Sequence, residues 1–199
     1  MLWPSLILTT VQMIRKIYKY LAAPQEKYFR YFFAAFAVIL TGQAIIFITN
    51  YTLSPLFDKT AIEISEKSKQ LTDQFNIPGA FFYIVLLAPI LESIILVKLA
   101  EFIKARLKRK IAVCTIIGTT AGVIHYLANG LLINGINAIW LFFNYSLVYL
   151  SYLEKDDNLA GNEKIPFKAH HRWKNKDTGL LTIILLHVLN NLIVFLGVH

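Results

Sequence analysis

The chain has 199 residues, of which 56% are hydrophobic, with a formal net charge of +8 and a mean hydropathy of +0.54. Its apolar residues lie in blocks of about 20 with the charges confined to the gaps, a pattern that excludes an ordinary soluble domain. We predict an all-α, multi-pass transmembrane helical bundle, because each segment in lipid must satisfy its own backbone polar groups. The length allows one membrane domain and no separate soluble one.

The first predicted element, residues 1–27, is an amphipathic segment that lies at the membrane interface. Its hydrophobic run before Arg15 and Lys16 is too short to cross a bilayer. It also lacks the charge-first order and the small-residue cleavage site of a secretory signal. We therefore expect basic residues in water and apolar residues in the interface, with a sixth crossing as the alternative. Residues 28–199 form the membrane domain.

Five spans follow from the roughly 20 apolar residues that a crossing needs, at about 29–53, 78–103, 111–128, 131–153 and 179–198. Basic residues concentrate before the first span, after the second and after the fourth, whereas the gap at 54–77 is nearly balanced in charge. Cytoplasmic loops carry such an excess of Lys and Arg. We predict a cell-membrane protein with a cytoplasmic N-terminus and loops 104–110 and 154–178 on the same side. The lipid bilayer is a partner, and nucleic acid is not, because the basic residues form no single face.

Four polar side chains interrupt these spans: Glu92 in the second, His125 in the third, and His187 and Asn191 in the fifth. Ionisable groups are costly at bilayer depth and usually mark a function. At 1.5 Å per residue, the carboxylate and both imidazoles fall in one layer, roughly 14–22 Å from the cytoplasmic end. Asn191 shares a helix face with His187. We predict that the four converge on a site able to activate water.

The order and spacing of these residues resemble the CAAX prenyl protease and bacteriocin-processing family (CPBP or Abi) of intramembrane endopeptidases. That family has a Pro-x-x-Glu-Glu stretch followed by Arg, then Phe-x-x-x-His, then His-x-x-x-Asn. This chain has Pro89 and Glu92, then His125, then HVLNN with His187 and Asn191. The resemblance covers about residues 78–198.

The resemblance implies hydrolysis of a membrane-associated or amphipathic peptide without a covalent intermediate. Glu92 would be the general base on a water that His125 holds and polarises. His187 and Asn191 would donate hydrogen bonds to the developing oxyanion. Glutamate and two histidines also match a zinc ligand set. The His-Glu-x-x-His pattern is absent, however, and the family is described as glutamate-dependent, so no cofactor is expected and zinc is possible but not favoured.

Three supporting positions depart from the family pattern. Ser93 replaces the second glutamate, Val97 the arginine and Ala121 the phenylalanine. These departures favour a second hypothesis, a catalytically weakened member that serves as a bacteriocin-immunity or membrane-scaffold protein. A third is a small transporter with a proton relay, although no inverted repeat is visible. A purely structural role in interhelical hydrogen bonding is also open for the fifth-span residues.

Smaller signals concern packing. Gly118 and Gly122 have a small-xxx-small spacing that predicts close approach of another helix near His125. Cys114, the only cysteine, is interpreted as a packing residue. Lys98 is expected to reach the cytoplasmic surface with Glu101 as its partner.

Overall fold

The structure, a computed structural model, describes residues 12, 15–22, 28–57, 77–130, 132–162 and 169–198. Most of the predicted interfacial segment 1–27 and of the gap at 54–77 lies outside them. Within the described residues the fold is all-helical, as predicted. The long helices are α1 (Tyr28–Phe57), α2 (Ala88–Lys104), α3 (Lys110–Asn129), α4 (Leu132–Asn162) and α5 (Ala169–Val198), and a π-helical segment, Phe82–Leu87, precedes α2.

Five helical stretches are long and apolar enough to cross a membrane, which confirms the prediction of a multi-pass membrane protein. They are Tyr28–Thr49, Ile77–Lys104, Lys110–Ala128, Leu132–Glu154 and Lys176–Leu196. One expectation needs correction: the hydrophilic region 154–178 is largely helical, because α4 continues to Asn162 and α5 begins at Ala169. Span length follows the thickness of the bilayer, but a helix continues into water wherever its polar residues tolerate helical geometry.

Helix α4 is the centre of the bundle. In its membrane window 67% of the residues are buried, against 17% in α1, and it packs against each of the other four helices. Its inward side chains include Ala138, Phe142, Tyr145, Val148 and Tyr149. Apolar side chains gain little by leaving lipid, so close packing and hydrogen bonds must hold such a helix in place.

The contact between α3 and α4 brings the two backbones together through glycine. A Cβ added at Gly118 would lie 2.8 Å from the carbonyl oxygen of Ile139, and one added at Gly122 would lie 2.8 Å from that of Gly135. Neither position has room for a side chain. The predicted close approach beside His125 is confirmed, and α4 supplies a glycine of its own.

Ion pairs join the helices at the end of the bundle that carries the turn 105–109. Glu154 on α4 pairs with Lys104 and with Lys110, the latter at 2.7 Å. Glu101 on α2 lies 2.5 Å from Lys176 on α5 and accepts a hydrogen bond from the Tyr149 hydroxyl. Its ion pair is therefore with α5, and Lys98, the partner suggested by the sequence, is an exposed side chain on the same helix.

One further contact supports this arrangement. Residues 15–21 are helical, and the carbonyl oxygen of Leu21 accepts a hydrogen bond of 2.7 Å from the Tyr31 hydroxyl. Cys114 is fully buried in the core, in agreement with its interpretation as a packing residue. The N-terminal helix is thus attached to α1 at the end of the bundle where the ion pairs lie.

We predict that Gly122→Ala destabilises the protein by about 1–3 kcal/mol, the usual cost of overpacking. The added methyl group would contact the Gly135 carbonyl and push α3 away from α4. The measurement is the thermal unfolding midpoint in lipid nanodiscs. Thr119→Ala, at an exposed position of the same helix, is the matched control. An unchanged midpoint for Gly122→Ala would contradict the close backbone contact.

Candidate active site

Glu92 lies at the edge of the buried face of α2. That face consists of Pro89, Ser93, Leu96, Val97 and Ala100. The Glu92 side chain is 35% exposed, whereas its neighbours Leu91 and Ile95 are exposed on the outer side of the helix. The carboxylate can therefore contact the next helix on one side and remain open on the other.

The structure brings Glu92 and His187 together from segments that are far apart in the sequence. Oε2 of Glu92 lies 3.5 Å from Nε2 of His187, and only 4% of the imidazole side chain is exposed. A carboxylate accepts hydrogen bonds only, so the Nε2 atom that faces it is best matched when it carries a proton. The pair joins α2 to α5 within both spans.

Aromatic rings from α4 fix the orientation of His187. The Tyr145 ring is tilted by 36° against the imidazole with centroids 4.9 Å apart, and the Phe142 ring meets it edge-on at 5.8 Å. Phe142 also contacts His125, with centroids 5.7 Å apart. Both histidines are thus in contact with one phenylalanine ring. Sequence reasoning missed Phe142 and Tyr145, although their spacing of three residues places them on one face of α4.

The Asn191 side chain replaces a backbone hydrogen bond that is missing in the helix of the second span. The N–H of Ala88 donates to Tyr83, five residues back, in the π-helical register. The next carbonyl in that register, that of Ile84, would need an N–H from residue 89, which is proline and has none. Nδ2 of Asn191 donates to this Ile84 oxygen at 2.9 Å. The side chain therefore satisfies a carbonyl that would otherwise be left without a donor in lipid.

This position changes the role that the sequence suggested for Asn191. Its Oδ1 atom accepts a hydrogen bond from Nδ2 of the buried Asn190 at 3.4 Å, and one of its two N–H groups is directed to Ile84. One N–H remains for any other acceptor. The first effect of Asn191 is to hold α5 against the helix that carries Glu92. Proline at position 89 was the signal that could have predicted this.

The three positions that depart from the family pattern are all buried. Ser93, Val97 and Ala121 are 1%, 4% and 9% exposed. They fill the interior of the bundle with neutral side chains. Among the described residues, no three His, Cys, Asp or Glu side chains form a group that could hold a metal ion.

Comparisons with known proteins gave no match. No protein-family model matches the sequence, and neither a curated protein nor a solved structure matches the chain.

We predict that Asn191→Ala destabilises the protein by about 1–3 kcal/mol, because the Ile84 carbonyl loses its donor. Pro89→Ala would restore a backbone N–H to that carbonyl. In the Pro89→Ala background, Asn191→Ala should therefore lower the free energy of unfolding by a smaller amount. The measurement is a double-mutant cycle on the free energy of unfolding.

Asn144→Ala is the matched control for this cycle. Asn144 is also buried, but it donates to the Trp140 carbonyl within its own helix. Asn144→Ala should lower the free energy of unfolding by the same amount with proline or with alanine at position 89. Equal costs of Asn191→Ala in the two backgrounds would show that the asparagine does not compensate for Pro89.

Proposed function

We propose that the protein is an intramembrane endopeptidase that hydrolyses a peptide bond of a membrane-associated or amphipathic peptide with water activated by Glu92. In this proposal it is a divergent member of the CPBP family. The observation that carries the proposal is the contact of 3.5 Å between the Glu92 carboxylate and the His187 imidazole inside the membrane spans. Ionisable side chains are costly in lipid and usually mark a function there.

Glu92 is the general base. About a third of its side chain is exposed, so water and a peptide can approach the carboxylate. The carboxylate takes a proton from the water as the water oxygen attacks the peptide carbonyl. The proton then passes to the leaving nitrogen, the C–N bond breaks, and a carboxylic acid and an amine are released. The reaction as proposed uses no cofactor.

His187 stabilises the negative charge that develops on the carbonyl oxygen. Its Nε2 atom faces Glu92, and the rings of Phe142 and Tyr145 hold the imidazole in place. A donor that is already oriented costs no reorganisation during the reaction. His125, which shares the contact with Phe142, is proposed to help position the water. Asn191 holds α5 against α2 and offers its remaining N–H as a second donor.

A second candidate function is a bacteriocin-immunity or membrane-scaffold protein without catalytic activity. The hydrogen bond from Asn191 to the Ile84 carbonyl favours it, because that amide already has a structural use. The buried Ser93, Val97 and Ala121 favour it as well, since none carries the charge or ring found in the family motifs. In this case Glu92 and His187 would serve to join α2 to α5.

The proposed location is the cell membrane, with the N-terminus in the cytoplasm. The turn between α2 and α3 carries Arg106, Lys108 and Arg109, and the ion pairs of Glu101 and Glu154 lie at the same end of the bundle. Basic residues of short loops remain on the cytoplasmic side. The partners proposed are the lipid bilayer and a peptide or membrane-protein substrate.

We predict that Glu92→Gln lowers cleavage by at least about 10²-fold, because the amide keeps the shape of the side chain but cannot accept the proton. The assay is co-expression with a panel of membrane-anchored peptides, followed by mass spectrometry of the products. Glu101→Gln is the control: it changes a carboxylate on the same helix that is engaged with Lys176 and Tyr149. It should retain cleavage.

Equal cleavage by the wild-type protein and Glu92→Gln would refute the peptidase mechanism. The second candidate would be favoured if no peptide is cut and Glu92→Gln still protects cells against a peptide toxin as well as the wild type does.

The orientation can be tested by cysteine labelling of intact cells. On a Cys114→Ala background, an impermeant maleimide should label Ile77→Cys but not Lys108→Cys, since these residues lie at opposite ends of one helical stretch and its following turn. Labelling of both after permeabilisation is the control. Labelling of Lys108→Cys in intact cells would reverse the proposed topology.

A further inference from the structure

Four buried polar atoms on α2, α4 and α5 have no hydrogen-bond partner among the residues that the structure describes. They are Oγ of Ser93, Oη of Tyr145, Nδ1 of His187 and Oδ1 of Asn190. Their residues are 1%, 1%, 3% and 2% exposed. Buried polar groups are nearly always hydrogen-bonded, and one that is not lowers stability. Four such atoms on three helices that contact one another point to a shared partner.

The four atoms come from three helices that meet at His187. Ser93 on α2 follows Glu92, whose carboxylate lies 3.5 Å from the imidazole. The ring of Tyr145 on α4 packs against the imidazole at 4.9 Å. Asn190 is three residues beyond His187 on the buried face of α5, within one helical turn. The mutual contacts of α2, α4 and α5 enclose the region.

The unpaired hydroxyl of Ser93 is unusual for this bundle. Ser146, Ser151 and Thr182 are also buried, and each donates to the carbonyl four residues earlier in its own helix at 2.6 Å. Ser93 could make the same bond to the carbonyl of Pro89. It does not, so its hydroxyl is available to a partner other than its own backbone.

The four atoms match the hydrogen-bonding capacity of one water molecule. Asn190 Oδ1 is an acceptor, and His187 Nδ1 is one as well when Nε2 carries the proton. The hydroxyls of Ser93 and Tyr145 can both donate. Two acceptors take the two protons of a water, and two donors reach its oxygen. Buried waters make about two to four bonds of this kind.

We propose that Ser93, Tyr145, His187 and Asn190 hold a buried water molecule that keeps the His187 proton on Nε2. The water lies on the Nδ1 side of the ring, away from Glu92, so it is not the water that the proposed peptidase would activate. Tyr145 and Ser93 are accordingly positioning residues: they act on Glu92 only through the tautomer of His187. The water site does not depend on catalytic activity.

The sign of a stability change tests the site. If the hydroxyls of Tyr145 and Ser93 bind a water, Tyr145→Phe and Ser93→Ala should each lower the thermal unfolding midpoint in nanodiscs by about 2–4 °C. If the hydroxyls are merely unsatisfied, removing them should leave the midpoint unchanged or raise it. An unchanged or raised midpoint for either variant overturns the proposal.

A double variant tests whether the two hydroxyls share one water. Tyr145→Phe combined with Ser93→Ala should lower the midpoint by less than the total of the single changes, because the second substitution acts on a site already lost. Additive changes overturn the proposal. Ser146→Ala is the matched control, since Ser146 is next to Tyr145 in sequence and bonds to its own helix. Its midpoint should remain close to that of the wild type.

The tautomer of His187 provides a readout that a purely structural role would not change. In protein labelled with ¹⁵N-histidine, the His187 signals are identified by their loss in His187→Gln. The proton should be on Nε2 in the wild type and should redistribute between the two nitrogens in Tyr145→Phe. A wild-type ring with its proton on Nδ1, or on both nitrogens, overturns the proposal.

Discussion

The hydrogen bond from Asn191 to the Ile84 carbonyl is the interaction on which the candidate site depends. Proline at position 89 removes an N–H in the middle of a membrane span, where water is not present to replace it. Only another part of the protein can satisfy the exposed carbonyl, and α5 does so with Asn191. His187 lies one turn earlier on the same helix face, so this bond also fixes its position opposite Glu92.

Helix α4 fixes the orientation of the His187 imidazole opposite Glu92. It packs on α3 through glycine backbones and presents two aromatic rings to His187. An imidazole confined between rings has few orientations, and its two nitrogens then differ: Nε2 faces a carboxylate, whereas Nδ1 is buried with no hydrogen-bond partner among the described residues. The difference between the two nitrogens of His187 thus arises from the packing of α4. The sequence had predicted no site residue on that helix.

The sequence predicted the fold well because bilayer thickness imposes a repeated length on apolar segments, and all five spans carry that length. It also predicted that Glu92 and His187 would meet, since depth in a membrane can be counted from the ends of the spans. It did not predict the role of Asn191, because the π-helical register before Pro89 depends on tertiary contacts. Tyr145 was missed for a related reason: a tyrosine in an apolar run looks like packing until its neighbours are known.

The ion pair between Glu101 and Lys176 has a consequence for how a molecule could reach Glu92. Glu101 is nine residues from Glu92, about 14 Å along the helix. The second span and α5 are therefore joined at two separate depths, by the ion pair and by the Asn191 hydrogen bond. These helices cannot separate at either depth without breaking one of the two interactions. The Glu92 side chain is 35% exposed, and the neighbouring Leu91 and Ile95 are exposed on the same helix. In the proposed function, a peptide would reach the carboxylate sideways, from within the plane of the lipid.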